Sequence, residues 1–155
     1  MQSTEGKRLA ELAAAVREST LKRLRRVPAG RENFRIGAES MSFADTARHL
    51  IDADEWLFAK LRNRDLTPMR GRPGLAEIGS RSEYLELLQR LEETGQARNE
   101  LVDSMTDEQL EEQVPDARFS GEVSVWWLIA RGNLDHETHH RGWIAACLRA
   151  VRLQD

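Results

Sequence analysis

The chain has 155 residues, 40% of them apolar, enough to bury one sizeable core without disulfide staples and too few for a multi-domain assembly. Its 23 Lys and Arg against 26 Asp and Glu leave a formal charge of −3, so no positive surplus awaits a nucleic-acid backbone. No apolar run approaches the roughly 20 residues that span a bilayer, which removes the membrane classes and leaves one soluble domain over residues 1–155.

Residues 4–27 place Leu9, Leu12, Ala13, Val16, Leu24 and Val27 near one helical stripe, and Pro28-Ala29-Gly30 closes this first helix. The charges Lys22, Arg23, Arg25 and Arg26 at its end complement the helix dipole. A second helix opens at Ser42, where Ser42-x-x-Asp45 reads as a capping box with Asp in place of Glu. Phe43, Ala47, Leu50, Leu57 and Leu61 share its face, and it ends near Arg62. Residues 63–79 hold two prolines and three glycines and form a long connection, whose Arg64, Arg70 and Arg72 either recruit a carboxylate or are simply solvated.

Ser80-x-x-Glu83 starts a third helix whose Tyr84, Leu87, Leu88, Leu91, Leu101, Val102 and Met105 recur at three- and four-residue steps, with an unfavourable Gly95 inside. Thr106-x-x-Gln109 caps a short helical turn, residues 116–122 form a loop, and a fourth long helix runs from Ser124 to about Val151. With no strand-like alternation of useful length, the expectation is an all-α four-helix bundle. The long crossover between helices two and three permits up-down-down-up topology. The lone Cys147 cannot form an intramolecular disulfide, and the N-terminus lacks a secretion-signal layout, so a cytoplasmic setting is expected.

Chemistry concentrates on the four histidines. On the fourth helix Val125, Ile129, His136, His140, Trp143, Cys147 and Val151 fall in one narrow arc at about 100° per residue. Imidazoles at i and i+4 on a core stripe either share one cation or are satisfied core histidines. His49, flanking the apolar stripe of helix two with Ser42, Thr46, Ala53 and Trp56, supplies a third nitrogen if helices two and four are neighbours.

The segment 136–140 formally matches the H-E-x-x-H pattern of zinc proteases. It lacks a downstream ligand, however, and Arg141 offers Glu137 an ordinary surface ion pair, which leaves His139 beside the metal face or exposed. Asp45 and Asn133 are candidates for orienting imidazoles, with helix capping as the competing role for Asp45. Trp56, Trp143 and Cys147 are candidate pocket residues, Cys147 having buried apolar packing as its alternative. Trp127 and Leu134 face away from the histidines and predict an apolar patch covered in a homodimer.

The segments GNLDHETHHRGWIAACLR at 132–149 and SFADTARHLIDADEWL at 42–57 resemble the last-helix and second-helix histidine motifs of the DinB-like superfamily. Length and motif order extend the resemblance over nearly the whole chain. It implies a four-helix bundle of the bacillithiol-transferase and mycothiol-dependent isomerase kind, with a divalent metal bound by His49, His136 and His140. Trp143 departs from the pattern, which commonly has Gln there, and implies a reshaped pocket. Three imidazoles favour Zn²⁺ or Ni²⁺ over Mg²⁺ or Ca²⁺. With an open position, such an ion activates a water or a thiolate. The implied reaction is transfer of a low-molecular-weight thiol to an electrophilic small-molecule substrate. Metal-dependent hydrolysis, and a non-catalytic stress- or damage-response bundle with a structural or absent metal, are the alternatives.

Overall fold

The structure, a computed structural model, describes residues 4–63, 77–119 and 121–154. Helix α1 (Glu5–Leu24) begins where the Thr4 hydroxyl accepts from the Lys7 amide. It buries Leu9, Ala13, Val16, Thr20 and Leu24. Leu12, expected on this stripe, stands 53% exposed on its flank, and Arg17, one turn on from Ala13, takes an inward position.

Helix α2 (Phe43–Asn63) opens with the reciprocal box anticipated from Ser42 and Asp45: the Asp45 amide donates to Ser42 Oγ at 3.0 Å and the Ser42 amide to Asp45 Oδ2 at 2.9 Å. Residues 64–76, with Arg64, Arg70 and Arg72, lie outside the described residues. Helix α3 (Arg81–Asp103) is capped by Ser80 and the short α4 (Asp107–Glu111) by a capping box of Thr106 and Gln109. Gly95 in α3 has a reason: a Cβ there would lie 2.8 Å from Nη1 and 2.9 Å from Cγ of Arg17, which crosses the helix at that point.

Two expectations are corrected in the next segment. The loop at 116–122 is part of an antiparallel hairpin, β1 (Gln113–Asp116) and β2 (Gly121–Ser124), in register Gln113 to Ser124. Its alternation spans only four residues, with Val114 and Asp116 turned inward, too short a pattern to register as a strand. Buried Asp116 anchors it, meeting Arg118 at 2.7 Å and the buried Lys60 of α2 at 3.6 Å.

The last helical run is interrupted as well. It comprises α5 (Val125–Trp127), a π-helical segment (Leu128–Leu134) and α6 (Asp135–Arg152). The wider π turns lag the 100° step, so residues on either side no longer keep the phase of a uniform α-helix. Leu134 is consequently buried at 3% exposure while Trp127 stands 44% exposed, edge-on to Phe119. The expected two-residue apolar patch does not exist; Trp127 is exposed without Leu134.

Helix α1 packs on α3 and α6, and α2 packs on the same two helices. Gly6 abuts the Val102 and Met105 carbonyls, while Tyr84 Oη donates to the Leu24 carbonyl at 2.9 Å, so α1 and α3 run in opposite directions. Helices α2 and α3 run the same way, because the Ala44 amide reaches Glu32, itself bridged to Arg81, while Asp54 reaches Arg98. The apolar interior divides into two clusters. One surrounds Leu24, Phe43, Tyr84 and Ile144, the other Leu9, Val102, Leu110 and Ile129.

Candidate metal centre

The histidines are positioned by α2 and α6. His136 and His140, one turn apart on α6, face His49 of α2. His49 Nε2 lies 2.9 Å from His136 Nε2, and His140 Nε2 lies 3.1 Å from the same atom. The three ring centroids are 4.6 to 4.8 Å apart and the rings meet edge to face. Among the described residues this is the group of three whose ligand atoms all lie within 4.8 Å of one another.

The donor chemistry fits a cation. A neutral imidazole Nε2 carries either one proton or one lone pair, so His136 Nε2 cannot make two well-directed hydrogen bonds to two nitrogens at once. Charging a ring does not relieve the crowding. Burial, then the neighbouring His49, pushes His136 down to about 4; burial, then His136, pushes His140 down to about 3. Burial also lowers His49, against the opposing charge of Asp52. Three lone-pair donors thus converge at neutral pH. For metal–nitrogen distances of about 2.0–2.1 Å, ligand nitrogens stand roughly 3 Å apart, the separation seen here.

Other candidates are distributed around this cluster. His139 is exposed, with its ring 5.2 Å from that of His140. An open cavity of about 450 Å³ is lined by Met41, His139, His140, Gly142, Trp143 and Ala146, and is mainly apolar. The Trp143 indole donates to the Met41 carbonyl at 3.3 Å, which ties the indole to the start of α2. Trp56 lies away from this cavity, beneath the Arg118 guanidinium at 4.5 Å and Lys60 at 4.9 Å. Cys147 is buried in the apolar cluster, where burial pushes its thiol up to about 11. Asp45 caps α2 and pairs with Arg35.

Asn133 and Glu137 belong to a different construction. Glu137 is 1% exposed and faces the bundle interior instead of pairing with Arg141 at the surface. Arg17 donates to it from Nε at 2.8 Å and Nη2 at 2.9 Å, and Arg98 from Nη1 at 2.7 Å. Asp54 receives Arg17 at 2.8 Å, Arg98 at 3.1 Å and Thr94 Oγ1 at 3.0 Å. The Asn133 side chain accepts from Arg98 at 3.0 Å. Burial, which would raise Glu137, is outweighed by Arg17 and then Arg98, which hold it at about 2.

Two guanidiniums and two carboxylates balance in charge, and one member comes from each long helix. A carboxylate with its oxygens so occupied, and facing away from the histidines, cannot serve as the base of an H-E-x-x-H protease. Arg17, Asp54 and Arg98 have a signal in the sequence: each sits at an apolar-stripe position of its own helix, where a solvated charge has no place.

The family model described as the DinB superfamily matches residues 7–144. Among solved structures, the DinB-like protein YjoA of Bacillus subtilis aligns with a TM-score of 0.70 over 93% of this chain and 92% of that chain, at 14% sequence identity. No curated protein matches the chain.

Proposed function

The chain belongs to the DinB superfamily, and on that premise we propose that it is a metal-dependent enzyme that transfers a low-molecular-weight thiol to an electrophilic small molecule. The observation that carries this reading is the convergence of the His49, His136 and His140 nitrogens, with 2.9 and 3.1 Å between the measured pairs. A divalent ion such as Zn²⁺ or Ni²⁺ held there supplies Lewis acidity, which makes a thiol or water nucleophilic near neutral pH.

The chain's own residues do the rest. His140 is shared between the cluster and the apolar cavity, so a substrate seated against Trp143, Met41 and Ala146 lies beside the reactive position. The indole is restrained by its bond to Met41 and gives a flat wall for the apolar part of the substrate. Cys147, protonated and buried, takes no part as a nucleophile. His139, on the exposed rim of the cavity, is placed to contact the substrate's polar end.

Elemental analysis of untagged protein tests the centre. About one divalent ion per chain is expected, with loss in each of His49→Ala, His136→Ala and His140→Ala. Low-molecular-weight thiols offered with chlorinated or epoxide electrophiles then test transfer, with consumption of both reactants as the expected result. Ester or amide cleavage without thiol consumption would replace transfer by hydrolysis. Bound metal with neither activity would leave a non-catalytic metal bundle.

A further inference from the structure

The ends of α1 and α6 form a second cleft, on a different face of α6 from the histidine cavity. Its volume is about 260 Å³; Ala145 and Leu148 contribute apolar surface, and Arg23, Arg26, Arg149 and Arg152 supply the charge. Arg23 in the last turn of α1 and Arg26 just past its end stand on one side, Arg149 and Arg152 in the last turn of α6 on the other, so two guanidiniums from each side border one space. Arg23 is oriented by Ser19, whose carbonyl and hydroxyl accept from Nη1 at 3.0 and 2.7 Å.

Unlike the exposed arginines Arg8, Arg25 and Arg131, which pair with Glu5, Glu92 and Asp135, none of these four meets a carboxylate among the described residues. The helix dipole accounts for part of this charge only. Two helix C-termini present about one unit of negative charge between them, against four guanidiniums. A chain whose formal charge is −3 thus concentrates around one small cleft positive charge that meets no carboxylate of the described residues.

We propose that this cleft binds a small soluble anion bearing two phosphoryl groups, of the pyrophosphate class. Guanidiniums present planar forks that match phosphate oxygens two at a time, and pairs on facing helices suit two adjacent phosphoryl groups better than one. The cleft admits such an anion but not a folded polymer, and its apolar surface from Ala145 and Leu148 leaves room for a short organic substituent. Along α6 its lining begins at Ala145, five residues beyond His140, and its first guanidinium on that helix, Arg149, comes nine residues on, about 14 Å at 1.5 Å each. Binding there therefore needs no metal.

Calorimetric titration of the full chain with inorganic pyrophosphate at constant ionic strength tests the site. Saturable one-to-one binding is expected, weakened by about tenfold or more in Arg26→Gln/Arg149→Gln and retained in His136→Ala. Binding lost with His136→Ala but kept in the arginine variant would assign it to the histidine centre and overturn the proposal, as would the absence of saturable binding. Arginine modification by phenylglyoxal in the wild-type chain gives a check that requires no variant: pyrophosphate should protect Arg149 and Arg152 but not Arg131. Equal modification with and without the anion would refute the site. Capture by phosphatidylcholine vesicles containing a phosphoinositide, with no affinity for free pyrophosphate, would assign the arginines to a membrane surface and refute the soluble ligand.

Discussion

His136 shows at the residue scale how little a spacing conveys by itself. Two imidazoles one turn apart could be core histidines satisfied by neighbours; what makes them a candidate centre is His49, brought to 2.9 Å by another helix. Their protonation has a measurable sign. The folded values of His136 and His140 lie at about 4 and 3, below the ordinary 6.5, so the unfolded chain takes up protons first. In metal-free protein this contribution to stability is present above pH about 6.5 and is lost as pH falls through these folded values.

For metal binding the same depression predicts weak proton competition. A site of three ordinary histidines loses about tenfold in affinity per ring between pH 7.5 and 5.5. Competition titrations with Zn²⁺ at pH 7.5 and 5.5 should therefore differ by less than about tenfold in dissociation constant. A thousandfold difference would show that the rings titrate as free histidines.

At the element scale Gly95 and the π-helical segment carry the lesson. A glycine within a helix costs about 1 kcal/mol relative to alanine, so Gly95→Ala in a bare helix would stabilise. Here the added methyl meets Arg17 at 2.8 Å. Arg17 cannot withdraw, because Asp54, Glu137 and the Leu91 carbonyl hold it. Overpacking of this kind costs roughly 1–3 kcal/mol, which exceeds the propensity gain. Urea denaturation should show Gly95→Ala less stable than the parent, and a rise in midpoint would mean that Arg17 yields.

The π-helical segment has no comparable signature. Leu128-Ile129-Ala130-Arg131-Gly132-Asn133-Leu134 suits an α-helix as well, and the wider turn arises where Gly132 packs under Arg118 and Phe119 and Asn133 reaches Arg98. Those partners lie in the hairpin and α3. A uniform helical wheel consequently misplaces Leu134.

Across the whole molecule, the Arg17, Asp54, Arg98 and Glu137 layer separates the two apolar clusters and ties the four long helices at one level. Removing one partner of such a buried pair leaves an uncompensated charge and costs about 3–5 kcal/mol. Glu137→Gln should therefore lower stability by several kcal/mol in urea denaturation, while elemental analysis still finds a full complement of metal. Loss of the ion in this variant, under conditions where it remains folded, would make Glu137 part of the centre.

The helices, their caps and the histidine motifs are local matters, set by 3.6-residue periodicity, by hydroxyls placed three residues before the amides they meet and by carboxylate or carboxamide groups placed three residues after them. Ser42 with Asp45, Thr106 with Gln109, and His136 with His140 could all be located for that reason, and the DinB-like resemblance rested on the segments of the first and last of these pairs, 42–57 and 132–149. What only the tertiary structure decided were pairings between residues far apart in the chain: Glu137 with Arg17 and Arg98, Lys60 with Asp116, and the four arginines at the joined ends of α1 and α6. A charge at a stripe position announces that it is buried. Its partner is chosen by how neighbouring helices pack in register, and that choice depends on interactions of the whole chain at once.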